Sequence, residues 1–530
     1  MIGIRVSAEE QPVVREFFEL FKTPWKFFDG SPTEVLICAR AELPETDAKL
    51  VLIYDGGPND FDRENKIEIR PAGEPKMFTH GNRTFPIYGN CLVFEKSGEP
   101  VMREIILNGQ AFVRIGYDLF SEIRQLLTAG QPVKHAQIPT LEIHIALLRD
   151  LLVKYSIPFV EIPPAPAGSR FIACLTHDVD HAGIRNHRFD HTMFGFLYRA
   201  TAGSLIDFGR GKKTFAQLVT NCAAALSLPF VHLRLAKDFW QQFDRYAEME
   251  SGLHSTFFVI PQKGRPGSDA NGNRPARRAA KYDAAGLAGQ LQQLQSAGHE
   301  IGVHGIDAWR DVAAGRDERE RISQLTGMTE LGVRMHWLFF NENSPATLEH
   351  AGFSYDSTVG YNETVGYLAG TTQVFKPLPA VRLLELPLHV MDTALFYPSY
   401  LNLSPRGAEQ FIRPLMADAV DFGGALTINW HDRSLAPERL WGGFYIRLLD
   451  QCKSKGAWFA TAAQTVSWFR KRRNAAFETV ASHNPVKIRM AADDNNSLPG
   501  LRIRIFKPGQ TGGDIIELPA QDGMEISVAV

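Results

Sequence analysis

The segment from Phe171 to Asp180 constrains the fold of this chain more than any other feature. It begins with the apolar run Phe171–Leu175 and continues as Thr-His-Asp-Val-Asp over residues 176–180. A continuous apolar run of this length is typical of a strand buried on both faces, as in a parallel sheet. Burying an unpaired carboxylate costs too much free energy for Asp178 and Asp180 to be ordinary core residues at the end of such a strand. The two residues therefore indicate a bound cation, a proton or a substrate. In parallel α/β proteins, the carboxyl ends of the strands carry the functional site.

Strand and helix patterns alternate from residue 168 to about residue 473, which predicts an α/β fold with a parallel sheet or barrel. A long, mostly helical insertion at 183–250 and a loop rich in Gly, Pro and Arg at 263–281 interrupt this alternation, and we expect the loop to be mobile. The predicted strands are 171–175, 255–260, 300–303, 332–336, 382–388, 425–430 and 457–460.

The rest of the chain forms two further units, in keeping with the two or three domains expected of 530 residues. The pattern of residues 1–165 predicts an N-terminal α/β domain, in which no set of candidate catalytic residues stands out. Prolines between 158 and 166 predict a stiff linker after it. Residues 475–530 predict a small antiparallel β appendage that leans on the main domain. Its strands are predicted at 486–490, 501–505, 514–518 and 524–530.

Composition and charge exclude several classes of function. The formal net charge is −2, whereas nucleic-acid-binding proteins usually carry an excess of basic residues. The five cysteines stand far apart without a CxxC pair, which argues against a disulfide framework and a thiolate zinc site. The N-terminus does not resemble a secretory signal, and reduced thiols fit a cytoplasmic protein. The sequence indicates no specific protein partner.

Membrane contact is considered for one stretch, Met193–Phe208. Arg199 and Asp207 interrupt it, so it does not predict a bilayer-spanning helix. It fits either an amphipathic helix packed on its own domain or a helix that lies on a membrane surface, which would make the protein membrane-peripheral. Basic residues that would help membrane contact follow the stretch: Arg210, Lys212 and Lys213.

Ionisable side chains stand at the ends of four predicted strands, and in a barrel these ends converge on one rim. Carboxylate and imidazole ligands without thiolates suit zinc or another borderline divalent metal. Such a metal lowers the pKa of bound water to about 7 and polarises a carbonyl, while a second carboxylate can act as base and a histidine as acid. The strand-end residues are Asp178, Asp180, His304, Arg334, His336, His431 and Asp432.

These motifs resemble those of the polysaccharide deacetylase family, the NodB-like carbohydrate esterases. The Thr-His-Asp-Val-Asp segment, His304, Arg334, Asp356 and Trp430-His431 occur in the order of that family's motifs, over roughly residues 170–472. More narrowly, the chain looks like a bacterial branch of the family with an extra N-terminal domain. The resemblance implies a distorted (β/α) barrel and metal-dependent removal of N-acetyl groups from N-acetylhexosamines.

The resemblance also implies roles for the matched residues. Asp178 would be the general base, Arg334 would hold and tune that base, and His431 would be the general acid. Leu426 and Trp430 would line the acyl pocket. The opening motif of the family commonly has adjacent aspartates, whereas here a valine separates them, a variant that the family also contains.

The expected metal site, which we assign to zinc, departs from the family pattern at its third ligand. Asp180 and His304 match the first two ligands, but the position four residues after His304 is Ala308 rather than histidine. Asp307 stands one residue early and could substitute, or His336 could supply the third ligand from the next strand end. If neither reaches, the metal is weakly held or absent.

We therefore expect a hydrolase of non-peptide carbon–nitrogen bonds that removes N-acetyl groups from an N-acetylated sugar or glycan precursor. A cytoplasmic location favours a biosynthetic precursor, either lipid-linked or nucleotide-linked, over a polymer. Two alternatives stay open: hydrolysis of another non-peptide C–N bond, as in the opening of a cyclic amide, and a non-catalytic carbohydrate-binding protein on a decayed deacetylase barrel.

Overall fold

The N-terminal residues form a six-stranded sheet with the order β2-β1-β3-β4-β10-β9, in which only the β9–β10 pair is antiparallel. The computed structural model describes residues 1–95, 101–479, 485–490, 498–507 and 514–527. The elements of this unit are β1 Ile2–Arg5, α1 Gln11–Phe21, β2 Trp25–Phe27, β3 Val35–Ala39, β4 Leu50–Tyr54, α2 Asp60–Glu64, β5 Ile69–Pro71, β6 Met77–His80, β7 Arg83–Pro86, β8 Leu92–Phe94, β9 Met102–Leu107, β10 Gln110–Ile115, α3 Leu119–Thr128 and α4 Thr140–Lys154.

The segment between this unit and the next is a strand, β11 Phe159–Glu161, rather than the stiff linker predicted from its prolines. Its residues pair antiparallel with a strand near the C-terminus, where Phe159 lies opposite Phe506 and their rings stack with centroids 4.2 Å apart. The prolines flank the strand at positions 158 and 163, where a missing amide N–H does not break the three-residue ladder.

The central unit alternates strands and helices as predicted. A parallel strand needs a crossover connection to its neighbour, and helices supply most of these crossovers. Its elements are β12 Phe171–Val179, α5 His191–Tyr198, α6 Ser204–Gly209, α7 Phe215–His232, α8 Phe243–Met249, β13 Thr256–Val259, α9 Ala288–Ser296, β14 Glu300–Gly305, α10 Val312–Thr326, β15 Gly332–Met335, α11 Ser344–Ala351, β16 Tyr355–Asp356, β17 Leu384–Glu385, β18 Val390–Met391, α12 Asp392–Phe396, α13 Pro405–Phe422, β19 Ala425–Asn429, α14 Gly442–Ser454, β20 Ala457–Ala460 and α15 Ala462–Asn474.

All nine strands of the central sheet are parallel, in the order β17-β16-β15-β14-β13-β12-β19-β18, with β20 also paired to β12. In a flat sheet, β15 would lie about 14 Å from β12, at about 4.8 Å per strand. The Arg334 side chain on β15 nevertheless reaches Asp178 on β12. The sheet is therefore curled into an open barrel, and the α/β barrel fold class predicted from the sequence is confirmed.

The predicted strand 382–388 is wrong in its extent. The structure has two short strands there, β17 and β18, with Pro387 between them. Proline has no amide N–H to donate to a neighbouring strand, so it interrupts the ladder. After the interruption, β18 ends at Met391. The next residue, Asp392, accepts a hydrogen bond from His431 in the site described below.

The C-terminal residues form β strands that continue from α15, as predicted. One sheet has the order β21-β22-β25, and the other has the order β11-β23-β24, so the second sheet borrows a strand from before the barrel. Residues 528–530 of the last predicted strand lie outside the described residues. The strands are β21 Ala476–Thr479, β22 Pro485–Arg489, β23 Arg502–Lys507, β24 Asp514–Pro519 and β25 Glu525–Ser527.

Candidate active site

Asp178 lies buried near the end of β12 and is held from two sides. Its Oδ1 accepts a hydrogen bond from Arg334 Nη1 at 3.1 Å, and its Oδ2 accepts one from Asn429 Nδ2 at 2.8 Å. Burial alone would raise the pKa of this carboxyl, but the Arg334 guanidinium, together with the nearby His304 and His431 rings, outweighs burial and lowers the pKa below its usual value. Asp178 is therefore an ionised carboxylate in a fixed orientation.

Arg334 donates four hydrogen bonds, which fix the position of the guanidinium. Its Nη1 also donates to Thr176 Oγ1 at 2.7 Å, while Nε and Nη2 donate to the carbonyl oxygen and the hydroxyl of Ser357, each at 2.9 Å. The guanidinium also lies over the Phe258 ring, 4.6 Å from its centroid. A planar fork with this many partners cannot rotate away from Asp178, which fits the role of holding the base.

Three residues from three strand ends bring ligand atoms to one point. Asp180 Oδ1 lies 3.3 Å from His304 Nε2 and 3.2 Å from His336 Nδ1, and the two histidine nitrogens are 3.0 Å apart. All three ligand atoms lie within 4.8 Å of one another. One carboxylate and two imidazoles form the donor set of a catalytic zinc site that keeps a further position open.

The protonation and hydrogen bonding of these side chains fit a metal ion. His304 Nδ1 donates to the Arg334 carbonyl oxygen at 2.9 Å, which directs the lone pair of Nε2 toward Asp180. Burial lowers the pKa of His336 to about 4, so its ring is neutral near pH 7 and can act as a ligand. Asp180 Oδ1 is buried without a hydrogen-bond donor, as a metal ligand would be.

Asp307, the other residue considered for the third ligand position, is not part of this cluster. Its Oδ1 accepts a hydrogen bond from the Ser268 amide at 3.0 Å, and its own amide donates to Glu318. The turn after β14 therefore points the Asp307 carboxylate at the loop 263–281 and away from Asp180. His336 takes the third place because β15 lies next to β14 in the sheet.

His431 stands across the cavity from the cluster, and Asp392 holds it in place. His431 Nδ1 donates to Asp392 Oδ1 at 2.6 Å, and the His431 amide donates to Asp392 Oδ2 at 2.7 Å. Burial favours the neutral ring, but the Asp392 carboxylate, together with Asp180 and Asp178, outweighs burial and raises the pKa of His431 to about 10. The other ring nitrogen, Nε2, lies 3.9 Å from Asp180 Oδ2 and faces the cavity.

The two residues expected to line an acyl pocket lie in the core. Leu426 and Trp430 are fully buried in the main hydrophobic cluster, and the Trp430 ring stacks on Phe444 and Tyr445. Neither lines the cavity at the site. Side chains alternate along a strand, so Asn429 and His431 face the site while Trp430 faces the opposite side.

A cavity of about 230 Å³ opens above the site. Its floor contains Asp178, Asp180, His304, His336 and His431, so the predicted base and acid share one space with three of the four predicted metal ligands. Its walls are formed mainly by the start of the insertion, the loop 263–281 and the segments after β15 and β18. The wall residues include His187, His191, Lys281, Trp337, Asn362, Met391, Thr393, Tyr397 and Tyr400.

The sequence predictions missed three residues that support the site: Asn429, Asp392 and Arg278. Asn429 precedes the Trp430-His431 motif, and the period-two alternation of β19 could have identified it. Asp392 directly follows β18, but the predicted strand 382–388 ends four residues before it. The sequence therefore does not indicate Asp392 as a strand-end residue. Arg278 belongs to the loop 263–281, which the sequence predicts to be mobile, yet it is buried and donates to the carbonyl oxygens of His336, Ile306 and Pro266.

Comparison with solved structures finds similar folds at low sequence identity. A Mycobacterium smegmatis protein assigned as a polysaccharide deacetylase covers 58% of this chain and 95% of its own, with 20% identity and a TM-score of 0.36. The allantoinase PuuE covers 58% and 92%, with 15% identity and a TM-score of 0.34. Agd3, a carbohydrate deacetylase, covers 99% of this chain and 97% of its own, with 7% identity and a TM-score of 0.35.

Polysaccharide deacetylases are thus among the similar solved structures. This is the family that the sequence motifs resemble. No protein-family model and no curated protein sequence matches the chain. Because the identities are at most 20% and the TM-scores are below 0.5, a function can be inferred only from the site residues themselves.

Proposed function

We propose that this protein is a metal-dependent hydrolase that removes N-acetyl groups from an N-acetylated sugar or glycan precursor. One observation carries the proposal: a held carboxylate, a cluster of one carboxylate and two imidazoles, and a cationic histidine face the same cavity. These are the base, the metal-binding group and the acid that amide hydrolysis requires.

Asp180, His304 and His336 would hold the metal, which we propose to be zinc. When bound, the metal supplies electrostatic stabilisation of the oxygen that gains negative charge during hydrolysis and lowers the pKa of water to about 7. The buried Asp180 Oδ1 that lacks a donor supports this assignment without reference to any relative.

Asp178 would accept the proton of the attacking water. Its pKa is held below the usual value, so the carboxylate is ionised and available at neutral pH. Arg334 and Asn429 each donate a hydrogen bond to one carboxylate oxygen and keep the carboxylate plane fixed. The base is therefore already oriented when the water attacks.

His431 would donate a proton to the nitrogen of the leaving amine as the C–N bond breaks. The products are then acetate and the free amino sugar, and the proton taken by Asp178 balances the one given by His431. Because Asp392, together with Asp180 and Asp178, raises the pKa of His431 to about 10, the acid is protonated at neutral pH before the reaction begins.

The cavity rim supports a sugar as the substrate. Trp337 and Tyr400 line the cavity and are large aromatic side chains that are exposed to solvent. Aromatic faces pack against the apolar faces of sugar rings, while Asn362 offers hydrogen bonds to hydroxyl groups. A cytoplasmic or membrane-peripheral location, which we propose from the sequence, would favour a lipid-linked or nucleotide-linked sugar.

The test is acetate release from N-acetylated hexosamine oligosaccharides by zinc-reconstituted protein. We expect Asp178→Asn and His431→Ala each to lower kcat by about 10²- to 10⁴-fold, the usual contribution of a general base or acid. Asp180→Asn should lose both acetate release and bound zinc, measured by elemental analysis after gel filtration.

Asp307→Asn is the matched control, because it changes a nearby carboxylate that lies outside the cluster and an asparagine oxygen can still accept from the Ser268 amide. It should retain zinc. Acetate release that persists unchanged in Asp178→Asn and His431→Ala would contradict the mechanism. Wild-type protein that holds no zinc after reconstitution would favour the non-catalytic alternative.

A further inference from the structure

Among the described residues, exposed large hydrophobic side chains are concentrated in the helical insertion. Of the 21 large hydrophobic side chains exposed in the described part of the chain, 12 lie between Phe189 and Leu235. Exposed apolar residues scattered singly need no explanation, but a concentration of this size marks an interaction surface. The twelve are Phe189, Phe194, Tyr198, Leu205, Ile206, Phe208, Phe215, Val219, Leu226, Phe230, Leu233 and Leu235.

Helix α7 is apolar on two opposite faces. One face is buried and includes Ala224, Leu228 and Val231, which pack in a cluster with Phe196 of α5 and with Trp240. At 3.6 residues per turn, a second stripe lies on the opposite side and faces solvent. Its members are Phe215, Val219, Leu226, Phe230 and Leu233, of which Leu226 is 77% exposed.

The preceding helical segment, α5 to α6, repeats this arrangement. Met193, Phe196 and Ala200 are buried in the same cluster as the inner face of α7. Phe194, Tyr198 and Leu205 recur on the other side of the segment and are exposed. The rings of Phe208 and Phe215, 6.2 Å apart, connect the two outer stripes at the turn between the helices. We call these two outer stripes the hairpin face.

The charges around the hairpin face are mainly basic. Helix α7 contains no Asp, Glu, Lys or Arg, and between residues 189 and 235 the only acidic residues are Asp190 and Asp207. Basic residues stand at both ends of α7. They are Arg210, Lys212 and Lys213 in the turn before it, and Arg234 and Lys237 after it.

We propose that the hairpin face docks on an anionic lipid surface, with its apolar side chains inserted shallowly and the basic ends of α7 beside lipid phosphates. Exposed apolar stripes with flanking cations are what interfacial helices present to a bilayer. A second copy of this chain fits less well. In a two-fold dimer, either orientation of α7 would bring its basic ends against basic ends, and residues 189–235 contain only two acidic residues to pair with them.

Helix α7 would lie on the bilayer rather than cross it. Among the described residues, it is the one helix whose length of 18 residues and mean hydropathy of 1.2 would suit a crossing. Its inner face, however, is packed against α5 and Trp240, and the buried Asn221 on that face donates only to the Gln217 carbonyl oxygen within the helix. A crossing would have to break this packing and expose a polar amide to hydrocarbon.

The hairpin face begins, along the chain, next to residues that line the cavity of the proposed active site. His191 and Thr192, in the first turn of α5, line the cavity, and Phe194 of the hairpin face is two residues further on. Docking would therefore place the cavity mouth near the lipid headgroups. Resting on the function proposed above, this geometry points to an N-acetylated sugar linked to a lipid as the substrate class.

The experiment is co-sedimentation of the full chain with phosphatidylcholine vesicles, with and without phosphatidylglycerol. Wild-type protein should bind the anionic vesicles, and Leu226→Glu/Phe230→Glu should lower the partition coefficient by about tenfold or more, because two inserted side chains become charged. Arg210→Glu/Lys212→Glu should remove the preference for anionic lipid. The control is Val381→Glu, which charges a valine that is 73% exposed outside the insertion and should bind as wild type.

Three results would overturn the docking proposal. The first is wild-type protein that binds neither kind of vesicle. The second is a wild-type dimer, seen by analytical ultracentrifugation, that Leu226→Glu/Phe230→Glu converts to monomer without affecting vesicle binding. The third is bound protein that resists extraction at alkaline pH, which would indicate a spanning helix. Acetate release from a soluble acetylated sugar, measured in parallel, separates a failure of the proposed function from a failure of docking.

Discussion

Asp392 contributes more than any other neighbour to keeping His431, the proposed acid, protonated. The His431 ring is buried, and burial by itself favours the neutral form. The Asp392 carboxylate, which contacts both the ring and the backbone of His431, contributes most to reversing that preference, and Asp180 and Asp178 add to it. Asp392 is thus a positioning residue that also sets the pH range over which the acid is protonated.

Replacing Asp392 with asparagine should narrow that pH range. A general acid works only while it is protonated, so activity falls as pH rises through the pKa of His431, which is about 10 in the native protein. Without the carboxylate, the pKa should fall toward the ordinary value of about 6.5. We expect the alkaline limb of the kcat profile for acetate release to move down by about one pH unit or more.

Ser434→Ala provides the matched control for this experiment. The Ser434 hydroxyl donates to the same Asp392 oxygen as the His431 amide, so its removal perturbs Asp392 without removing the charge. Its alkaline limb should stay close to that of wild type. An unchanged limb in Asp392→Asn would mean that His431 is not the acid.

The polar site residues could be predicted from the sequence because each directly follows or ends a recognisable strand. Asp178, Asp180, His304, His336 and His431 all come together in one cavity. The choice between Asp307 and His336 could not be made, because it depends on the direction of one turn after β14. Leu426 and Trp430 were assigned by resemblance alone, and the alternation along β19 turns both away from the cavity.

At the scale of elements, strands with long apolar runs were predicted well and the loop 263–281 was not. Its basic residues suggested a solvated, mobile segment. Arg278 instead inserts into the protein, donates to three carbonyl oxygens and lies over the Phe339 ring, 4.3 Å from its centroid. The basic composition of the loop 263–281 does not indicate that one of its arginines, Arg278, is buried and anchors the loop to the protein.

Arg278→Ala should release this loop. The substitution leaves the carbonyl oxygens of His336, Ile306 and Pro266 without their donor, and each buried unsatisfied group costs about 1–3 kcal/mol. We expect faster hydrogen–deuterium exchange across 263–281 and weaker zinc binding, since the loop contacts the backbone of a proposed ligand. Arg277→Ala, a change at an exposed neighbour, should leave both unchanged. Equal exchange in the two variants would contradict the anchoring role.

At the scale of the whole molecule, the N-terminal unit and the barrel are joined by buried polar contacts. Glu142 of α4 accepts hydrogen bonds from Thr371 Oγ1 and Gln373 Nε2, between β16 and β17. Arg472 of α15 donates to the carbonyl oxygens of Leu20 and Ile162. The sequence does not indicate these contacts, because the partners stand hundreds of residues apart and carry no local pattern.

These contacts predict that the two units unfold together. Arg473 donates to both carboxylate oxygens of Glu16, at 2.9 and 2.6 Å, and the Glu16 side chain is almost fully buried. Glu16→Gln leaves the guanidinium without its charged partner, and breaking a buried pair in this way costs about 3–5 kcal/mol. Differential scanning calorimetry should show one transition for wild type and one transition at lower temperature for the variant. The control variant Glu9→Gln, at an exposed position, should unfold at the same temperature as wild type. Two separate transitions in wild type would contradict the prediction, because they would mean that the N-terminal unit is only loosely attached to the barrel.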